Sequence, residues 1–282
     1  QPWMQKDSFV KINKLFMKRA KVILLIVTCL VLTASCKSSY EALLNSTDTQ
    51  QKYKGAMTYF DKGKYYKAAQ LFEQLLLYVK GTDQDDTVQF YLGLSNYKYG
   101  DYIKAEANFN EFVSVFPRSP FTEEAKFLRI ECLYNGTYRY ELDQTPTFRT
   151  MAAINEYLYE YPNTTNLRRC RDMLVDLQER LDRKSYEAAK LYYTLEDYKA
   201  ASYALKNTLK ENADNQYRED IMYYIVCSNY QYAVNSIPEK QKERFMVLID
   251  DYYNFISEFP ESKYRKELDG MFAEAQKITN KN

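Results

Sequence analysis

The sequence predicts an all-α solenoid of stacked helical hairpins, about five helix pairs closed by a C-terminal capping helix. Three observations carry that expectation. The stretch Val88–Pro120 reads as two amphipathic helices joined by a tight turn at Tyr99-Gly100-Asp101. The endings Phe116-Pro117-Arg118-Ser119, Tyr161-Pro162-Asn163-Thr164 and Phe259-Pro260-Glu261-Ser262 repeat one pattern. In each, Pro stops a helix and a hydroxyl two residues later can cap the next. Finally, Ser95-Asn96-Tyr97-Lys98-Tyr99 returns as Ser228-Asn229-Tyr230-Gln231-Tyr232.

In the 88–120 unit, Gly93, Gly100, Tyr102, Ala105, Phe109, Phe112 and Pro117 fall where a tetratricopeptide repeat (TPR) needs them. Gly93 lets the second helix approach closely, and Gly100 can take the positive φ that ends a helix. Ala105 is small where helices cross, while Phe109 and Phe112 lie one turn apart on the buried face. One hairpin cannot bury both of its apolar faces, so neighbours are required. The first, from about Gln51 to Tyr78, places Ala56, Gly63, Tyr65, Ala68, Phe72 and Leu75 in the same roles. The third opens near Thr122, expected as an N-cap, with Glu123 and Glu124 in the first turn. It resumes from about Thr147 after a long turn, Gly136 to Pro146. A charged helix from Asn166 to Arg183 precedes the fourth hairpin. There Ala189, Tyr192, Tyr198, Ala201 and Leu205 keep the phase, with Glu196 where a Gly would sit. The fifth keeps Tyr252, Phe255, Phe259 and Pro260 behind a longer turn, Asn235 to Lys240. A last helix from about Ser262 to Ile278 is expected to cap the open end with its polar face.

Ahead of the repeats, Met17-Lys18-Arg19-Ala20-Lys21 is basic and Val22–Leu32 is an apolar run. At ~1.5 Å per residue that run is too short to span a bilayer core, and a secretory signal peptide fits better. It ends at Leu32-Thr33-Ala34-Ser35-Cys36, which resembles a bacterial lipobox with Cys36 as the lipid-bearing residue. Thr33 departs from the aliphatic residue preferred there, and Cys29 is a rival behind the poorer cleavage residue Thr28. The alternative is an ordinary signal peptide with Cys36 as a bystander. Residues 1–35 are therefore read as leader, 17–35 being the lipoprotein signal peptide and 1–16 an over-extended start or a remnant. Residues 36–50 are read as the lipidated Cys and a short polar tether, and 51–282 as a TPR superhelical domain. A Cys carrying several acyl chains holds a soluble domain on a membrane. Lys37-Ser38-Ser39 carries no acidic cluster, which resembles sorting to the outer membrane of a Gram-negative bacterium with the domain facing the periplasm.

Chemistry is scarce. The chain has no His, which removes the commonest general base and zinc ligand. It has no Gly-rich phosphate loop, no GxSxG and no HExxH. Carboxylates such as Glu123 and Glu124, or Asp250 and Asp251, are spaced as solvated helix faces. Cys132, Cys170 and Cys227 lack metal spacing, and Cys132 and Cys227 sit in apolar runs as small core residues. Arg168-Arg169-Cys170-Arg171 reads as a helix face pairing with Asp172 and Asp176 or meeting a partner. No enzyme activity, metal or cofactor is expected. With its basic leader removed the chain is mildly acidic, which argues against nucleic acid. Function then falls to surface. In a TPR array the first helices line a groove, which selects Tyr53, Met57 and Phe60, then Phe90, Leu94, Tyr97 and Lys98, then Tyr186, Lys190 and Tyr193. Aromatic faces with a few polar groups suit an extended peptide, though each position can equally pack one repeat on the next.

Ser185-Tyr186-Glu187-Ala188-Ala189-Lys190-Leu191-Tyr192-Tyr193 is similar to the opening of the fourth repeat in the BamD family. A lipobox followed by five TPRs over 51–278, with an enlarged turn in the third, resembles the same family. These are outer-membrane lipoproteins of the β-barrel assembly (BAM) complex. The resemblance implies a scaffold that binds the barrel-inserting subunit BamA mainly through C-terminal repeats, beside other BAM lipoproteins. Its N-terminal repeats would receive the C-terminal β-signal of unfolded outer-membrane proteins. The chain departs from the family in its Tyr-rich body, 29 Tyr against one Trp, and in the fifth turn. Two other classes share some features: a TPR lipoprotein adaptor for cell-wall enzymes or envelope complexes, and a SusD-type glycan-binding lipoprotein. The latter are much longer and carry a ligand-binding insertion.

Overall fold

The computed structural model of the chain describes residues 39–280, and every regular element among them is helical. After a short helical segment over 39–45 come α1 (Thr49–Asp61), α2 (Tyr65–Val79), α3 (Asp85–Tyr99), α4 (Tyr102–Val115) and α5 (Thr122–Asn135). Then follow α6 (Thr145–Glu160), α7 (Leu167–Thr194), α8 (Tyr198–Glu211), α9 (Arg218–Val234), α10 (Pro238–Glu258) and α11 (Arg265–Thr279). They form two compact units divided between Asn135 and Gly136. Within each unit every helix packs on the next in the chain. First helices also adjoin across hairpins, α3 on α5 in one unit and α9 on both α7 and α11 in the other. The class is all-α and TPR, as the sequence predicts. Cys36 and the leader lie outside the described residues.

Three of the turns inside hairpins follow one design. Gly63, Gly100 and Glu196 are left-handed, with φ of 69°, 93° and 62°. The following amide reaches back to close the preceding helix: Lys64 to the carbonyl of Tyr59 (2.8 Å), Asp101 to Asn96 (3.0 Å) and Asp197 to Tyr192 (3.0 Å). This satisfies carbonyls that a helix end leaves open. Asp101 and Asp197 then accept from the amides of Lys104 (3.1 Å) and Ala200 (3.2 Å) as N-caps of α4 and α8. The sequence pattern located all three turns, and Glu196 stands in the Gly position with the backbone of a Gly.

The link between hairpins is equally regular. The carbonyls of Val79, Phe116, Tyr161, Asn212 and Phe259 accept the amide three residues on, from Thr82, Ser119, Thr164, Asn215 and Ser262. The carbonyls of those five residues in turn accept the amide three further on, where the next helix begins. The side-chain oxygen of the middle residue takes the amide two ahead, at Gln84, Phe121, Asn166, Tyr217 and Tyr264. The hydroxyls at 119, 164 and 262 therefore bend the chain ahead of the helix instead of capping its first turn. Thr122 is not an N-cap either: it lies in the first turn of α5 and donates to the carbonyl of Phe116 (2.7 Å).

Three other expectations are corrected. The charged helix and the first helix of the fourth hairpin are one element, because no Gly or Pro interrupts α7. Its middle is pinned at Asp182, which is 2% exposed. That carboxylate accepts from the side chains of Gln178 (2.8 Å) and Asn212 (2.8 Å) and from the amide of Gln216 (3.0 Å). The fifth turn is shorter than Asn235–Lys240, since Pro238 opens α10, where a missing N–H costs no helical bond. The tether over 39–45 is instead a packed helical segment. Tyr40 is buried, its hydroxyl donates to Gln70 Oε1 (2.6 Å), and Leu43 closes over Gly55.

The core runs between the helices, with small alanines at the crossings and phenylalanines and leucines filling the space beside them. Ala56, Ala68, Ala105 and Ala201 are fully buried, as are Phe72, Phe109 and Phe112. At Gly93 an added Cβ would stand 2.8 Å from Cε1 of Phe109, so the close approach requires glycine.

Candidate functional site

In the first unit the expected groove residues divide into two sets. Tyr53, Met57 and Phe60 on α1 are half-buried and rest on the core together with Tyr91 of α3. Phe60 meets the edges of Tyr65 (5.4 Å) and Tyr91 (5.2 Å), and Tyr53 that of Phe72 (6.4 Å). Phe90 does not line a groove. It is 2% exposed, stacked on Phe121 at 4.5 Å and wedged against Phe112, because the approach to α5 closes over that side of α3. Leu94 is half-buried against the same cluster. Tyr97 turns its ring to Tyr102 (5.7 Å), and exposed Lys98 carries its ammonium 5.9 Å from the Tyr97 ring.

The second unit holds a longer aromatic run. Tyr186 is core, not groove: it is buried and stacks on Tyr217 at 5.0 Å, which the linker after α8 brings beneath it. Lys190 lies over both Tyr186 (5.2 Å) and Tyr224 (5.3 Å), a cation–π sandwich. Tyr193 meets Tyr198 (5.5 Å) and Tyr224 (5.1 Å). The run continues through residues that sequence reasoning missed. Tyr223 stacks on Tyr264 at 3.9 Å and donates to Glu267 (3.1 Å). Tyr230 donates to Glu274 (2.7 Å), Tyr217 to Glu179 (2.7 Å), and Tyr264 to Asp220. The signal for Tyr230 was present, since it holds the place in Ser228–Tyr232 that Tyr97 holds in Ser95–Tyr99.

The phenols of this face hold their protons well into the alkaline range. Burial pushes the Tyr193 phenol up to about 12, and burial with the Glu179 hydrogen bond does the same for Tyr217. Tyr230 rises to about 12 chiefly through its bond to Glu274. Tyr223 is raised too, first by burial, then by Cys227 and Glu267. The thiols of Cys132 and Cys227 are pushed up to about 12 by burial, so neither is a ready nucleophile. Among the described residues no group of three or more Cys, Asp or Glu is placed to hold a metal. The arrangement offers apolar ring area bordered by the exposed carboxylates of Glu267 and Glu274.

A separate cleft of about 640 Å³ opens between α8, α9 and α10, floored by Leu209, Met222 and Ile225. Two charge pairs wall it. Lys206 binds Asp251 (2.7 Å), and the Arg218 fork grips Glu258, whose carboxyl it holds below the usual range.

Against known proteins, the YfiO family, described as outer membrane lipoprotein, matches residues 45–245. The outer membrane protein assembly factor BamD of Caulobacter vibrioides is 23% identical over 104 residues, 37% of this chain. The match spans only 34% of that relative's own length. The TPR2AB-domain:pHSP90 complex of yeast Sti1 superposes with a TM-score of 0.39 at 10% identity, covering 81% of this chain and 98% of that one. A thermophilic TPR protein of Thermus thermophilus does so with a TM-score of 0.32 at 16% identity, covering 80% and 98%. With well over half of its residues matched by that family, the chain belongs to the YfiO outer membrane lipoproteins.

Proposed function

We propose that the chain is a lipid-anchored, periplasm-facing scaffold of β-barrel assembly, acylated at Cys36. On this reading it holds unfolded outer-membrane polypeptides, and a BamA-like barrel protein, on the aromatic faces of its first helices. The observation that carries the reading is the set of half-buried rings on those faces: Tyr53 and Phe60 in one unit, Tyr193, Tyr223 and Tyr230 in the other. An extended polypeptide presents alternate side chains and a polar backbone, and tyrosine meets both while losing little conformational freedom. Membership of the outer membrane lipoprotein family, and likeness to a BamD, support the same role. Purification of the chain from membranes in mild detergent tests it. Recovery of an Omp85-type barrel protein is expected; cell-wall hydrolases without any such barrel would replace this reading with an adaptor of wall enzymes. For the peptide face, Lys98→Ala, at an exposed position, is expected to weaken binding of outer-membrane-protein C-terminal peptides while the urea midpoint stays nearly constant, and Tyr97→Ala to weaken it further with some loss of packing on the core.

A further inference from the structure

The segment over 39–45 runs antiparallel to α1. Tyr40 meets Tyr59 (5.2 Å), Leu43 faces Gly55, and the carbonyl of Leu44 accepts Lys52 Nζ (3.2 Å). The chain thus enters the fold at the turn end of the first hairpin. Lys67 marks that end, its ammonium 4.6 Å from the Tyr40 ring, and the Tyr59 carbonyl there takes the amide of Lys64. Lys62 and Lys64 are exposed beside it, and neither forms an ion pair among the described residues. Cys36 stands three residues ahead of Ser39. Three residues reach at most ~11 Å, little more than the depth of a headgroup layer. With Cys36 acylated, a docked segment instead of a free tether would keep this end of the first unit at the bilayer surface.

We propose that the turn end of the first hairpin is a membrane-contact surface, where Lys62 and Lys64 take the phosphates of anionic phospholipid headgroups. The inference rests on the reading of Cys36 as acylated. The anchor supplies proximity and the lysines supply preference for charge, each amine gaining about five-fold from an anionic surface.

The test uses the acylated chain in two kinds of vesicle: phosphatidylethanolamine with phosphatidylglycerol, and phosphatidylcholine alone. A water-soluble amine-acylating reagent reports the reactivity of Lys62 and Lys64 relative to exposed Lys199 and Lys242. Expected is labelling slowed about five-fold on phosphatidylglycerol vesicles, restored by salt and absent on phosphatidylcholine. Equal reactivity on both would overturn the headgroup contact. The intact mass of the membrane-extracted chain tests the anchor by itself. An unacylated chain refutes the Cys36 reading, whereas an acylated chain with unchanged lysines refutes only the surface proposed here.

Discussion

Single positions show how closely local backbone follows the repeat. Glu196 adopts φ 62° where the earlier hairpins use Gly63 and Gly100, and its Cβ carries the steric cost of the left-handed region. Glu196→Gly is therefore expected to stabilise the protein by up to ~1 kcal/mol, the relief outweighing the extra freedom glycine gives the unfolded chain. Gly100→Ala should lose about as much, for the same reason in reverse. Urea midpoints of the two variants, moving in opposite directions, check both; movement of Glu196→Gly downward would mean the side chain holds the turn by a contact stronger than its strain. Asp101→Ala removes the oxygen that accepts the Lys104 amide and should cost about 1 kcal/mol. What a periodic pattern leaves open at this scale is rotation about the helix axis. Phe90 and Leu94 both lie on the expected groove face, yet Phe90 is sealed by Phe121, a residue of the next linker that no spacing within α3 reveals. Tyr186 was lost to the core in the same way, by Tyr217.

Elements are where the sequence spoke most clearly. The proline endings marked three of the five links, and their hydroxyls do organise the chain, one step earlier than a cap would. The links at Thr82 and Asn215 share the same double turn without a proline: the excess over a repeat of about 34 residues places the first within Gly81–Asp86, and no such signal marks the second. The continuity of α7 was likewise hidden, because its polar stretch around Asp182 looks like a boundary until Asn212 and Gln216 are seen to bind there. Asp182→Ala takes the shared acceptor from those half-buried and exposed donors and should cost about 1 kcal/mol. A change within experimental error would show that the linker does not depend on the carboxylate. Helix crossings give a sharper test of register. Ala105 is fully buried beside Phe109, and Ala105→Leu should overfill that crossing by ~1–3 kcal/mol. If the urea midpoint does not move, α3 and α4 cross somewhere else.

At the scale of the whole molecule, buried and half-buried tyrosines flank the core in both units, and this gives the protein an alkaline limit. The partners were not legible from spacing within a helix. Tyr223 with Glu267, Tyr230 with Glu274 and Tyr264 with Asp220 are each 44 residues apart, one hairpin to the next. Once unfolded, a phenol loses its proton near its ordinary value of 10.0, whereas Tyr193, Tyr217 and Tyr230 hold theirs to about 12, as does Tyr40 in the first unit. Below 10.0 both states keep the proton, so this contribution to stability is fully present and independent of pH. Between 10.0 and about 12 the unfolded chain binds fewer protons than the folded one, and stability falls as pH rises. The urea midpoint should therefore begin to fall as the unfolded thiols of Cys132 and Cys227 titrate near 9.0, and drop more steeply above the ordinary phenol value. Tyr230→Phe with Tyr193→Phe should make that drop shallower, since neither ring can then ionise. A midpoint that holds level until the folded phenols themselves titrate would mean these hydroxyls are as well solvated in the folded protein as in the unfolded chain, and that the aromatic face is open to water where the structure packs it against its neighbours.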